Sequence, residues 1–318
     1  MRLKICRAAG SIRRLYSTIQ TTQSSPASQA PNPHSNPNKR SLKDLTPSDL
    51  SYYWDTKPPN ASQLAFAEKL FIPSRHSPVK LWSASKFRTT PLSSAEPEVA
   101  FLGRSNVGKS SLLNAIMGQE ICWTSSKPGR TREMNAFGIG GTKGGESKVV
   151  LLDMPGYGKA SRAEWGMEIM KYLQGRKQLR RAFILIDSEH GIKKNDADIL
   201  SLFRRYAIPH QIIISKVDKV LAKSRKQIKS GASAAGIQKL HDMLNSMRPV
   251  VQPDPRTSEG PGALGEILTC SADTLIESGR VLGVDAVRWA ILSAAGIDGS
   301  LEGGHLASKS STFVKPSQ

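Results

Sequence analysis

Cysteine is scarce in this chain of 318 residues: Cys6, Cys122 and Cys270 are odd in number, widely separated and in no metal-ligand spacing. Such usage argues against a disulfide framework and for a reducing compartment. Long apolar runs are lacking as well. None approaches the roughly 18–20 residues that a membrane-spanning helix needs, so no membrane insertion is expected. Aromatic residues are nowhere interleaved with basic ones as in a base-stacking RNA reader, so contacts with a nucleic acid are expected to run through shape and phosphates. Acid is absent from the first 43 residues, which hold eight lysines and arginines.

Positive charge is what the chain has in excess. It carries a net +19, and with those eight residues set aside 37 basic side chains still face 26 acidic ones, a net +11. A field of that sign attracts polyanions through counterion release. Residues 1–20, MRLKICRAAGSIRRLYSTIQ, hold five of the basic residues among small and hydroxyl side chains. This Arg-rich, acid-poor composition is that of a mitochondrial transit peptide; the apolar core of about 7–15 residues that marks a secretory signal is missing. Import into the mitochondrial matrix is expected, with cleavage after Tyr16. Residues 17–40 then read as a disordered linker, being Ser-, Thr-, Gln-, Asn- and Pro-rich.

Residues 41–96 mix short apolar patches with prolines and read as an extension wrapping a domain that spans 97–296; residues 297–318 form a polar tail. Inside the domain, six apolar stretches (99–102, 134–139, 148–153, 182–187, 211–215 and 266–271) read as strands. Helical stretches lie at 110–117, 163–175, 196–206 and 284–294, with basic helical sequence running to about 247 and a loop insertion at 249–265. Alternating strands and helices with continuously apolar strands imply an α/β domain, its sheet mostly parallel with one antiparallel edge strand and helices on both faces.

The strongest motif is Gly103, Arg104, Ser105, Asn106, Val107, Gly108, Lys109 and Ser110, which fits G-x-x-x-x-G-K-[ST] between a strand and a helix. The glycines let backbone N–H groups turn onto phosphates at a helix N-terminus. Lys109 is placed to bridge β- and γ-phosphate oxygens and the Ser110 hydroxyl to ligate Mg²⁺, with Ser111 following. The second motif, Asp153-Met154-Pro155-Gly156, ends an apolar strand. Asp153 is placed to hold Mg²⁺ through water and the Gly156 N–H to meet the γ-phosphate. The third, Ser215-Lys216-Val217-Asp218, follows another apolar strand and approximates [NT]-K-x-D. There the Asp218 carboxylate reads the guanine N1–H and amine, a donor pair adenine does not offer, and the Lys216 stem covers the ring. Serine in the first place departs from that pattern and leaves open how the loop is tied to the P-loop. Ser271-Ala272 completes the set, with the Ala272 N–H expected at guanine O6.

The order GRSNVGKSSLLNAI, KPGRT, DMPGYG, SKVD and CSAD resembles the EngB (YihA/YsxC-type) family of ribosome-biogenesis GTPases over about residues 97–295. The resemblance implies a Ras-like P-loop fold, GTP and Mg²⁺ as ligand and cofactor, and monomeric action in assembling the large ribosomal subunit, here in the mitochondrion. It places the switch threonine at Thr131, beside Gly129 and Arg130, as a Mg²⁺ ligand and γ-phosphate sensor. Tyr157 stands where Ras-type proteins carry a water-orienting glutamine, so intrinsic hydrolysis should be slow. Asn106 falls where potassium-activated relatives carry a K⁺-binding asparagine. Two basic groups are candidate rRNA contacts: Lys219, Lys223, Arg225, Lys226 and Lys229, and Arg162, Arg176, Lys177, Arg180 and Arg181. His190 and His210 look isolated and receive no role. The rival readings are a GTP-gated scaffold with negligible turnover, a mitochondrial GTPase with another RNA or membrane target, and an adenine-specific P-loop kinase, which Asp218 opposes.

Overall fold

The structure is a computed structural model that describes residues 39–91, 95–122, 133–143, 145–157, 163–254, 256, 260–276 and 279–299. Residues 1–16, expected to be a transit peptide, Arg162 and the segment with Gly129, Arg130 and Thr131 lie outside these residues. Among the described residues eight strands form one sheet. In chain order they are β1 (Tyr52–Tyr53), β2 (Val79–Ala84), β3 (Glu98–Gly103), β4 (Met134–Ile139), β5 (Val149–Asp153), β6 (Leu179–Asp187), β7 (His210–Ser215) and β8 (Glu266–Thr269). Their order across the sheet is β1-β8-β7-β6-β3-β5-β4-β2. The central pairs β8–β7, β7–β6, β6–β3 and β3–β5 are parallel, and β4 runs antiparallel to β5.

Those six strands are the ones read from the sequence. The sheet is wider than expected because the extension adds an antiparallel strand at each edge, β1 on β8 and β2 on β4. Neither strand announces itself: β1 has two residues, and β2 (VKLWSA) has one fully buried side chain. A separate two-residue ribbon pairs Lys39–Arg40 with Ala232–Ser233. It interrupts the basic stretch that read as continuous helix. Gly231, at φ +104°, permits the approach, since a Cβ there would stand 2.5 Å from the Arg40 carbonyl oxygen.

Among the described residues six longer helices cover the sheet: α1 (Ala61–Leu70), α2 (Lys109–Met117), α3 (Ala163–Gly175), α4 (Lys194–Arg205), α5 (Ala234–Val251) and α6 (Val284–Ala294). Successive residues of β6 alternate between the two cores. Ala182, Ile184 and Ile186 face one apolar cluster with Leu152 and Tyr172; Phe183 and Leu185 face the other with Phe101, Leu112 and Ile116. Helix α5 runs through Pro249 into the stretch that read as a loop insertion. Proline removes one backbone bond, and burial of Met247 and Val251 outweighs that loss. No helix among the described residues is long and apolar enough to cross a membrane.

The strand register sets the site. Phe101 lies beside Asp153, Gly103 beside Leu185, and Asp187 beside Ser215, so the C-terminal ends of β3, β5, β6 and β7 finish along one edge. In open α/β sheets ligands bind outside that edge. The extension braces it from behind. The Leu50 carbonyl accepts from Thr269 Oγ1 at 2.8 Å and Ser51 Oγ accepts from Thr269 N at 3.1 Å, just before the loop of Ser271 and Ala272.

Candidate functional site

The loop between β3 and α2 is shaped by its glycines. A Cβ on Gly103 would stand 2.7 Å from Val107 Cγ1 and 3.1 Å from the Leu185 carbonyl oxygen, so the loop closes on itself only with glycine there. Gly108 takes φ +95° at the N-cap of α2, and Asn106 also lies in the left-handed region at φ 66°. Val107 anchors the loop in the core, 2% exposed. Backbone N–H groups at the first turn of α2 have no intrahelical acceptors and carry the positive end of the helix dipole, a standing anion site.

Lys109 and Asp153 meet at its floor. Both are buried, and the Lys109 ammonium is paired with Asp153 Oδ1. Pro155 is buried and Gly156 lies against the P-loop: a Cβ on Gly156 would stand 3.1 Å from Ser105 Oγ and 3.3 Å from Ser105 N. Tyr157 N donates to the Gly103 carbonyl oxygen at 3.2 Å, so the second motif is stitched to the first.

The third motif joins the same edge. Ser215 Oγ donates to the Val107 carbonyl oxygen at 2.6 Å, which answers how this loop is tied to the P-loop despite its departure from [NT]-K-x-D. Lys216, in the left-handed region at φ 59°, sends its ammonium to the Asn106 carbonyl oxygen at 2.9 Å and to Asp187 Oδ2 at 2.6 Å. Burial disfavours the Asp187 charge, but the Lys216 bond and the Glu189 N–H outweigh it and hold that carboxyl below its ordinary range. The Asp218 carboxylate accepts from Ser271 Oγ at 2.6 Å, and Thr274 Oγ1 lies 2.9 Å from the same hydroxyl. Ser111 and Ala272 line one cavity of about 540 Å³ together with Asn114, Asp273 and Arg280. The three motifs and the pair Ser271-Ala272 thus gather at one edge of the sheet; Gly129, Arg130 and Thr131 are outside the described residues.

The model of the 50S ribosome-binding GTPase family matches residues 98–216. A probable GTP-binding protein EngB from Bartonella bacilliformis is 40% identical over 207 residues, covering 62% of this chain and 84% of that protein. Another from Rhizobium johnstonii is 39% identical over 209 residues, covering 63% and 84%. The chain belongs to the EngB family. The solved structure of a probable EngB protein, 18% identical, covers 63% of this chain and 98% of its own at a TM-score of 0.38.

As an EngB-family member the chain is a GTP-binding protein, and its donors can be tested against Mg²⁺. The Ser110 hydroxyl lies in the first turn of α2 and the Asp153 carboxylate ends β5 beside a buried ammonium. Hard oxygen donors next to a phosphate cradle suit that ion, which keeps several waters and few protein ligands. The residues present fit it.

Two candidate polyanion contacts are corrected. Arg176 is buried, its guanidinium bonded to Glu98 Oε1 at 2.6 Å and, through Nε, to Oε2 at 2.9 Å. Arg181 is half-buried and donates to Gln211 Oε1 at 2.7 Å. Both hold the sheet rather than face a partner. Lys177, Arg180, Lys223, Lys226 and Lys229 are exposed. His190 is less isolated than it looked, with Nδ1 3.5 Å from Asp187 Oδ2. It groups with Asp187 and Glu189, carboxylates already paired with Lys216 and Lys219. His210 is a core residue whose Nδ1 meets the Ile208 carbonyl oxygen at 2.8 Å.

The sequence reading missed Asp196. Fully buried at the start of α4, it accepts from the Tyr157 hydroxyl at 2.9 Å, lies 2.9 Å from Arg104 Nε, and caps Lys193 N at 2.9 Å. An acid in the first turn of a helix is an ordinary cap, and nothing in the local sequence pointed further.

Proposed function

We propose that this protein is a slow GTPase that assists assembly of the large ribosomal subunit in the mitochondrial matrix, docking in its GTP form and leaving after hydrolysis. The observation that carries the nucleotide part is the union of Lys109 at the P-loop with an Asp218 carboxylate aimed by Ser271. The ribosomal part is supported by the 50S ribosome-binding description of the matching family and by the exposed lysines Lys223, Lys226 and Lys229 beside the base loop. Phosphate contacts of that kind give salt-sensitive, shape-led binding. The mitochondrial part is supported by the Arg-rich, acid-free residues 1–20.

In this reading the P-loop N–H groups and Lys109 hold the phosphates, Lys109 exchanging Asp153 for β- and γ-phosphate oxygens. Ser110, Asp153 and Thr131 would hold Mg²⁺, which neutralises charge on those oxygens when bound. The Gly156 N–H meets the γ-phosphate and Thr131 senses it, so the two switches order around GTP and relax in GDP. Turnover is slow because the Tyr157 hydroxyl is taken by Asp196 and no side chain at that position orients water. K⁺ near Asn106, or a docked ribosomal partner, supplies the missing positive charge. The same Tyr157 contact favours a second reading, a GTP-gated scaffold with negligible turnover; phosphate release with and without large subunits separates the two.

The test is sedimentation of the full chain with mitochondrial ribosomal subunits, loaded with GDP or a non-hydrolysable GTP analogue. Co-migration with the large subunit only in the analogue form is expected. Co-migration in neither form would remove the ribosomal assignment.

A further inference from the structure

Three segments far apart in the chain meet at Asp196. Its carboxylate is fully buried, yet it accepts from the Tyr157 hydroxyl at 2.9 Å and pairs with Arg104 Nε at 2.9 Å. Arg104 Nη2 continues to the Gly191 carbonyl oxygen at 3.1 Å. Arg104 is the second residue of the P-loop, and Tyr157 directly follows Gly156. A parallel bridge links Arg104 and Tyr157, and Tyr157 N donates to the Gly103 carbonyl oxygen. The two loops that contact phosphate are therefore held in register by one acid supplied from a third element. A buried carboxylate with a guanidinium partner is costly to disturb, because separating the pair strands a charge. Burial and the Asp196 charge keep the Tyr157 hydroxyl protonated well above its ordinary range, so it remains a donor throughout the physiological range.

We propose that Asp196 is a positioning residue that sets the Gly156 amide for the γ-phosphate, acting through Tyr157 and Arg104. The lever is short: fixing the Tyr157 ring fixes the peptide plane next to Gly156, where a Cβ would already crowd Ser105. GDP ends one phosphate short of that amide. Loosening the Tyr157 arm of the Asp196 contact therefore weakens triphosphate binding and spares diphosphate binding. A helix cap with no further role would lower stability and leave the ratio of the two affinities unchanged. The inference rests on the reading of Gly156 as the γ-phosphate amide.

The experiment is calorimetric titration of the full chain with GDP and with a non-hydrolysable GTP analogue, for wild type, Tyr157→Phe and Asp196→Asn, with thermal melts confirming folding. Tyr157→Phe removes one hydroxyl from a ring that keeps its packing, and it decides the matter if Asp196→Asn does not fold. Loss of one well-placed amide contact corresponds to roughly tenfold weaker analogue binding, with GDP affinity changed by less than about twofold. An unchanged ratio of the two affinities in folded Tyr157→Phe, or equal losses for both nucleotides, would overturn the proposal. Wild-type protein that binds neither nucleotide would instead overturn the site reading beneath it.

Discussion

Ser215→Ala tests how the loop of Ser215 to Asp218, proposed to read the base, is coupled to the P-loop. Ser215 is 4% exposed, and its hydroxyl donates to the Val107 carbonyl oxygen at 2.6 Å. Val107 is itself 2% exposed and sits two residues before Lys109. Deleting the hydroxyl removes a short bond and leaves a buried carbonyl, a loss of about 1–3 kcal/mol. The bond joins two loops that must both be in place before nucleotide arrives, so the loss falls on pre-organisation. If all of it appears in binding, GDP affinity falls about 5- to 150-fold; the share that does not appears as a lower melting temperature of the free protein. Titration with a fluorescent GDP, paired with thermal melts, measures both. Ser215→Thr, which restores the hydroxyl, should recover most of the affinity. GDP affinity within roughly twofold of wild type in Ser215→Ala, together with an unchanged melting temperature, would show that the two loops are ordered independently and refute the reasoning.

Three further outcomes are expected. Glu98→Gln breaks a buried pair in which Arg176 and the Tyr172 hydroxyl (2.6 Å) converge on one carboxylate, and should cost about 3–5 kcal/mol, a fall in melting temperature of roughly 6–20 °C; a fall under about 2 °C would contradict it. His210 is buried, its pKa is pushed below 6.5, and its Nε2 has no partner among the described residues. The unfolded chain therefore takes up a proton the native core resists, and the stability this provides is full above 6.5 and lost as pH falls from there toward the lowered native value. Urea unfolding at several pH values should show that slope in wild type and less of it in His210→Gln; parallel curves would speak against it. If K⁺ is bound near Asn106, GTP hydrolysis should slow when Na⁺ replaces K⁺ and Asn106→Ala should abolish the difference; equal rates in the two salts would remove Asn106 from the mechanism.

What the sequence disclosed followed from how local its signals are. Continuous apolar runs located β3, β5, β6 and β7, and the bounds of β4, α3 and α6 were read without error, because strands buried on both faces and amphipathic helices write their periods into consecutive residues. The P-loop was legible because its glycines are demanded by backbone geometry: Gly103 cannot carry a Cβ and Gly108 sits at φ +95°. What stayed hidden was pairing at a distance. Arg176 and Arg181 read as candidate rRNA contacts until Glu98 and Gln211 met them across the fold. Asp196 lies 92 positions from Arg104, and its neighbours in the chain say only that a helix begins. The edge strands β1 and β2 escaped because half-exposed edges need no apolar period. The serine in SKVD could be weighed only once its distance to Val107 was known.

The proposed role of reading guanine falls on Asp218, whose carboxylate is held by Ser271. Titration of Asp218→Asn with GDP and with xanthosine diphosphate tests it directly, since xanthine offers at C2 the acceptor that an amide can donate to. Losing two charge-assisted bonds should weaken GDP by roughly a hundredfold or more, while xanthosine diphosphate becomes the preferred ligand. A folded Asp218→Asn protein that still prefers GDP, or that loses both nucleotides alike, would contradict the account.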